Sequence, residues 1–142
     1  MNIYVIGSNH FMEHMVHIKN SLCELGFGGW IHPHYEALVR GEMQDQIERD
    51  KNGEAALIKR ENNYLHQHYA HILKSDAVLV VNDEKHGVPN YIGGNVLIEM
   101  GQAYVNHKKI FLLNEIPYDT PLSDEIIAMD PIPLTGDLKN IH

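Results

Sequence analysis

Residues 77–113 read as a strand, a glycine turn, a helix and a second strand, and no other part of the chain restricts the fold as much. Ala77-Val78-Leu79-Val80-Val81 is an uninterrupted apolar run, the pattern of a parallel strand covered on both faces. Lys109-Ile110-Phe111-Leu112-Leu113 repeats it after the segment Gly93-Gly94-Asn95-Val96-Leu97-Ile98-Glu99-Met100-Gly101. A βαβ unit of this kind carries its glycine turn at the carboxyl edge of the sheet, where open α/β sheets bind ligands. A polar loop, Asn82 to Tyr91, precedes the turn, and one carboxylate, Glu99, stands just inside the helix.

The remaining segments fit the same architecture. Ile3 to Ile6 predicts a strand, Gly7-Ser8-Asn9 a turn, and His10 to Leu25 a helix. In that helix Phe11, Met15, Ile18, Leu22 and Leu25 recur as an amphipathic stripe. Gly26, Gly28 and Gly29 end it. A short strand is expected around Trp30 to His32, stopped by Pro33. From Tyr35 to Lys74 the chain is polar and mostly helical in propensity, interrupted at Gly41 and Asn52-Gly53. Near its end Leu57, Tyr64 or Leu65, Tyr69 and Ile72 can share a face. This segment is longer than a crossover needs, which points to a lid or an oligomer contact. Pro117 and Pro121 mark a loop, followed by a short helix from Ser123 to Met129 and an apolar piece from Pro131 to Leu134. The expectation is one domain over residues 1–142. It is a flavodoxin-like or Rossmann-like three-layer α/β sandwich with four or five mostly parallel strands, those starting at Ile3, Ala77 and Lys109 being adjacent at its centre.

Charge and composition narrow the function. A net charge of −8 argues against a nucleic-acid polymer as partner, since such binders present basic patches. A small nucleotide remains possible, because a local cluster of N–H groups holds one. Cys23 is the only cysteine, so no disulfide or thiolate zinc site forms, and a core or boundary thiol is expected. No apolar run approaches the ~20 residues of a membrane span. The N-terminus enters a strand without a basic or apolar leader. A soluble, cytoplasmic protein is expected. His10-Phe11-Met12-Glu13-His14 matches the H-x-x-E-H zinc pattern, but with 11 histidines in the chain coincidence is the better account, and neither a metal nor a cofactor is expected. His66, His68 and His71 read as the polar side of a helix, one of which can approach the site.

Two features carry candidate chemistry. Gly7-Ser8 can present backbone N–H groups and a hydroxyl to a phosphate or sugar, or serve as an ordinary βα turn. Neither G-x-G-x-x-G nor a P-loop lysine is present, which disfavours dinucleotides and nucleoside triphosphates. Asn95, Glu99, Gln102 and Asn106 share one helical stripe, which reads either as a solvated face or as a functional one. Gly93-Gly94 permits close approach of a ligand. A carboxylate in the first turns feels the positive helix end, which favours an anionic nucleophile.

The runs Ser75 to Asn82, Gly93 to Ala103 and Lys109 to Asn114 resemble the nucleoside 2-deoxyribosyltransferase family, in particular its small bacterial relatives. The family pattern Glu-x-Gly-x-Ala corresponds here to Glu99-Met100-Gly101-Gln102-Ala103, and Ile3 to Ser8 is similar to its first strand and turn. The resemblance implies that Glu99 attacks the anomeric carbon of a (deoxy)ribosyl group, and that another base or water resolves the glycosyl ester. It further implies that the turn at Gly7 and Ser8 lies near the sugar or its 5′-phosphate, which these residues are expected to hold, and Tyr4 or Tyr91 is the candidate to line the ring pocket. Gly93, Gly94 and Asn95 are expected to complete the pocket. Asp83, another residue in Asn82 to Tyr91, or Asn95 is the candidate to protonate or hydrogen-bond the leaving base, although neither Asp83 nor Asn95 matches the family's spacing. The family's aspartate six residues before the nucleophile is Gly93 here, so cleavage is better supported than transfer between bases. The Gly-Gly…Glu run is also similar to phosphoribohydrolases acting on nucleoside monophosphates. The expected partners are a nucleoside or nucleotide substrate and further copies of the chain, as a homodimer or tetramer. A non-catalytic nucleotide-binding or sensing module of the same fold is the alternative, and a structural oligomer with a solvated stripe is the third reading.

Overall fold

The computed structural model describes all 142 residues. Strand β1 (Asn2–Gly7) leads through a 3₁₀ turn (Asn9–Phe11) into helix α1 (Met12–Glu24), then β2 (Gly28–Trp30). Helices α2 (Pro33–Val39), α3 (Gln44–Lys51), α4 (Ala55–Glu61) and α5 (Tyr64–Leu73) follow, then β3 (Ala77–Val81), α6 (Gly94–Val105), β4 (Lys109–Leu112), α7 (Ser123–Ala128), β5 (Ile132–Pro133) and a last 3₁₀ turn (Leu138–Asn140). The five strands form one parallel sheet in the order β2-β1-β3-β4-β5. This is the flavodoxin-like order. β1, β3 and β4 lie adjacent at its centre as their apolar runs predict, in a register that sets Ile3 against Ala77 and Ala77 against Lys109. Every residue of β3 is buried.

Alternation along the strands splits the core into two layers. Ile3, Val5, Leu79, Val81 and Phe111 pack with Met15, Ile18 and Leu22 of α1 and with Tyr35 of α2. Tyr4, Ile6, Val78, Val80 and Leu112 pack with Ile72 of α5, Val96, Met100 and Ala103 of α6 and Ile126 of α7. α1 lies close on β2: a Cβ at Gly29 would come within 2.8 Å of Leu22 Cβ and 2.9 Å of the Lys19 carbonyl oxygen. Neither neighbour is a flexible chain end, so Gly29→Ala has to push the helix off the sheet. A loss of about 1–3 kcal/mol in urea unfolding is expected; an unchanged midpoint would contradict this packing.

Several boundaries differ from the sequence expectation for local reasons. β2 ends at Trp30 because His32 caps α2, its side chain accepting the His34 N–H, with Pro33 in the first turn. Proline is favoured there because its missing N–H would have no partner. The long polar segment breaks into α2 to α5 at Gly41, Met43, Gly53 and Asn63, all at positive φ. Its inward face is Tyr64, His68 and Ile72, whereas Leu57, Leu65 and Tyr69 are exposed. Cys23 is exposed rather than in the core, its thiol 3.3 Å from the Gly29 carbonyl oxygen. No helix is long and apolar enough to cross a membrane.

Candidate functional site at the carboxyl edge

From β1 the chain moves to one side to form β2 and then crosses back to form β3 on the other. Strand order therefore reverses between β1 and β3, and the loops leaving their carboxyl ends diverge, which opens a crevice. A cavity of about 580 Å³ occupies it. Ser8, Asn9 and His10 come from the loop after β1; Lys85, His86, Tyr91, Gly93, Gly94 and Asn95 come from the approach to α6. The far wall is built by the polar segment, through His34, Gln46, Asp50, Ile58, Lys59, Tyr64 and His68. Tyr64 donates to Gln46 Oε1 at 2.9 Å, which ties α3 to α5. Part of the segment expected as a lid or oligomer contact thus forms one wall of the cavity.

Glu99 lies one helical turn below Asn95 and Val96, two residues that line the cavity. Helical side chains lean toward the helix N-terminus, which directs Glu99 at the underside of the floor. It is 2 % exposed, and its Oε1 has no hydrogen-bond partner. His68 Nδ1 lies 3.7 Å from that oxygen. That same nitrogen lies 2.7 Å from the Tyr4 hydroxyl. With Tyr4 donating, His68 carries its proton on Nε2 and leaves Nδ1 as an acceptor.

Burial decides the charge of this group of side chains. It pushes Glu99 up to about 8, with Lys59 on the cavity wall opposing the shift. Burial, reinforced by His32 and His71, pushes His68 down to about 3. His34 likewise falls to about 3 through burial and its neighbours His32 and His68. Burial and the nearby Glu99 raise the Tyr4 phenol well above its ordinary value. At neutral pH the inner wall is an uncharged array of carboxylic acid, imidazoles and phenols. The expectation that the helix end keeps Glu99 anionic is corrected by magnitude. That field contributes ~1 kcal/mol or less at an exposed site, whereas desolvating a carboxylate costs several kcal/mol.

The structure brings Ser8, Tyr91, Gly93, Gly94 and Asn95 to one cavity. Gly7 is packed beneath, where a Cβ would meet Met15 and the Val81 carbonyl oxygen at 3.1 Å. Tyr4 is fully buried in the sheet and reaches the site only through its hydroxyl. Asp83 does not line the cavity: its carboxylate lies 2.5 Å from His14 Nδ1 and accepts from Asn114 at 3.1 Å. Of the H-x-x-E-H residues, His10 faces the cavity and His14 turns to Asp83. No group of three or more His, Cys, Asp or Glu side chains is placed to hold a metal ion. Sequence reasoning did not name His34 or Lys59, placed Tyr64 only on a helix face, and covered Lys85 and His86 only as part of the loop from Asn82 to Tyr91. His68 stood among three histidines read as a polar face, yet it is 4 % exposed. Its spacing of four from both Tyr64 and Ile72 was the available signal. No protein-family model, curated protein or solved structure matches the chain.

Proposed function

We propose that this cavity binds a nucleoside or nucleoside monophosphate and that Glu99 cleaves its N-glycosidic bond through a glycosyl-enzyme ester. The observation that carries this reading is a buried carboxyl with an unpartnered oxygen directly beneath a cavity at the switch point of the sheet. Attack on the anomeric carbon requires the carboxylate. His68, 3.7 Å away but pushed down to about 3 by burial, is too weak a base to take that proton, so the attacking species is the minor fraction of Glu99 that is ionised below about pH 8. The ester is then resolved by water or by a second base, with retention. Asn95, on the cavity floor, is better placed than Asp83 to hydrogen-bond the leaving base.

One observation favours the alternative of a binding module without turnover: Glu99 is held neutral and behind the floor of the cavity. A panel of nucleosides and nucleoside monophosphates, followed chromatographically for free base, separates the two. Base release from any member supports cleavage. Saturable binding with no base release after prolonged incubation, at pH 7 and at pH 9, leaves the binding module.

A further inference from the structure

The polar loop between β3 and α6 has more structure than its composition suggests. Lys85 and Val88 exchange both backbone hydrogen bonds, at 3.0 and 2.9 Å. The two residues between them, His86 and Gly87, have φ of 50° and 79°. Positive φ at both central positions is the signature of a tight type I′ hairpin, the turn whose twist matches its flanking arms. This tip is therefore preorganised, and it aims two basic side chains at the cavity. The Lys85 ammonium donates to Ser8 Oγ at 3.3 Å and stands 4.9 Å from the centre of the Tyr91 ring. His86 and His10 approach to 5.4 Å between ring centres. Lys85 forms no ion pair with a carboxylate, in a chain whose net charge is −8. An acidic protein has thus placed an unpaired ammonium on the Ser8 hydroxyl, which also accepts the His10 backbone N–H at 3.3 Å, with two imidazoles lining the same cavity. Gly94, which lines the same cavity, is open: a Cβ there would meet nothing within 4 Å.

We propose that the Lys85–His86 hairpin and the Ser8 turn form a subsite for a phosphomonoester, so that the substrate is a nucleoside monophosphate rather than a nucleoside. This rests on the reading of the cavity as a nucleoside-cleaving site, and it names the substrate class. Lys85 supplies the point charge, Ser8 and the two imidazoles supply directed donors, and charge-assisted hydrogen bonds of this type are the strong ones. Among the residues lining the cavity the one carboxylate is Asp50, on the far wall, against the three ammonium groups of Lys51, Lys59 and Lys85. An ammonium held by a neutral hydroxyl can exchange that partner for a phosphate oxygen without losing an ion pair.

The test compares binding of matched nucleosides and nucleoside monophosphates by calorimetry, with inorganic phosphate alone titrated by protein NMR. The wild-type protein should prefer the monophosphate by about tenfold or more, the worth of one charged hydrogen bond. Phosphate alone should shift the amides of Ser8, Lys85 and His86. Lys85→Met, which keeps the stem and removes the charge, should reduce the preference by about tenfold, and Lys85→Arg should retain most of it. Equal affinity for nucleoside and monophosphate in the wild type would overturn the subsite. So would base release from unphosphorylated nucleosides only when orthophosphate is added, because the anion would then be a co-substrate. Lys85-dependent binding of monophosphates with no base released from any substrate would uphold the subsite and remove the cleavage reading instead.

Discussion

Replacing Glu99 by glutamine is expected to reduce base release by about 10³-fold or more while changing substrate affinity by only a few-fold. The amide keeps the volume of the buried side chain but cannot form the glycosyl ester, so the loss belongs in turnover. Glu99→Ala should be equally inactive, and formate or azide entering the vacated space should restore part of the activity. The protonation state adds a second signature. With the carboxyl pushed up to about 8, the anionic fraction in the free enzyme increases with pH. The wild-type kcat/KM should therefore climb ~10-fold per pH unit below that value and level off above it. A 2-fluoro-arabinosyl substrate should leave a covalent adduct on Glu99 detectable by mass spectrometry. Wild-type rates in Glu99→Gln would eliminate the covalent mechanism.

Stability should be greatest near pH 6.5 and fall on both sides. On the alkaline side, Glu99 is raised in the folded state from 4.5 to about 8. Between those values the native state holds a proton that the unfolded chain has released, so stability declines as pH rises. From pH 6.5 to 8.5 this amounts to about 2 kcal/mol. On the acid side, His34 and His68 are lowered from 6.5 to about 3. Below pH 6.5 the unfolded chain takes up protons that the native state refuses, and the stability of the neutral cluster is lost as pH falls. His32 and His71 shift the same way, chiefly through burial. The rings form one contiguous group, with His32 4.3 Å from His34 and 4.9 Å from His68 between centres. Their protonation is coupled, and the combined acid loss is on the order of 5 kcal/mol, comparable to the whole stability of a small domain. Urea midpoints from pH 4 to pH 9 read both limbs. Glu99→Gln should flatten the alkaline limb and steepen the acid limb, because between pH 6.5 and 4.5 the proton held by Glu99 offsets part of the histidine loss. A wild-type midpoint that stays level from pH 4.5 to 8.5 would refute the buried-neutral arrangement.

The parts of the molecule legible from sequence are those whose cause is local. The apolar runs of β1, β3 and β4 are continuous because these strands are buried on both faces, and a continuous run needs no knowledge of its neighbours to be recognised. Ser8, Gly93 and Gly94 were locatable because a βα turn in a parallel sheet can only lie at its carboxyl edge. The tight turn Lys85-His86-Gly87-Val88 was not singled out, although glycine after a polar residue favours it. What periodicity could not supply was the environment each side chain finds. Asn95, Glu99 and Gln102 share one stripe, yet Asn95 faces a cavity and Glu99 is sealed beneath it. His68 and Tyr4, 64 positions apart, meet at 2.7 Å beside that carboxyl. The chain itself determined that a carboxyl stands near the edge of a parallel sheet. Only the packing of α5 over β1 and α6 decided that it is neutral, because ionisation depends on desolvation by residues remote in sequence and not on the helix that carries it.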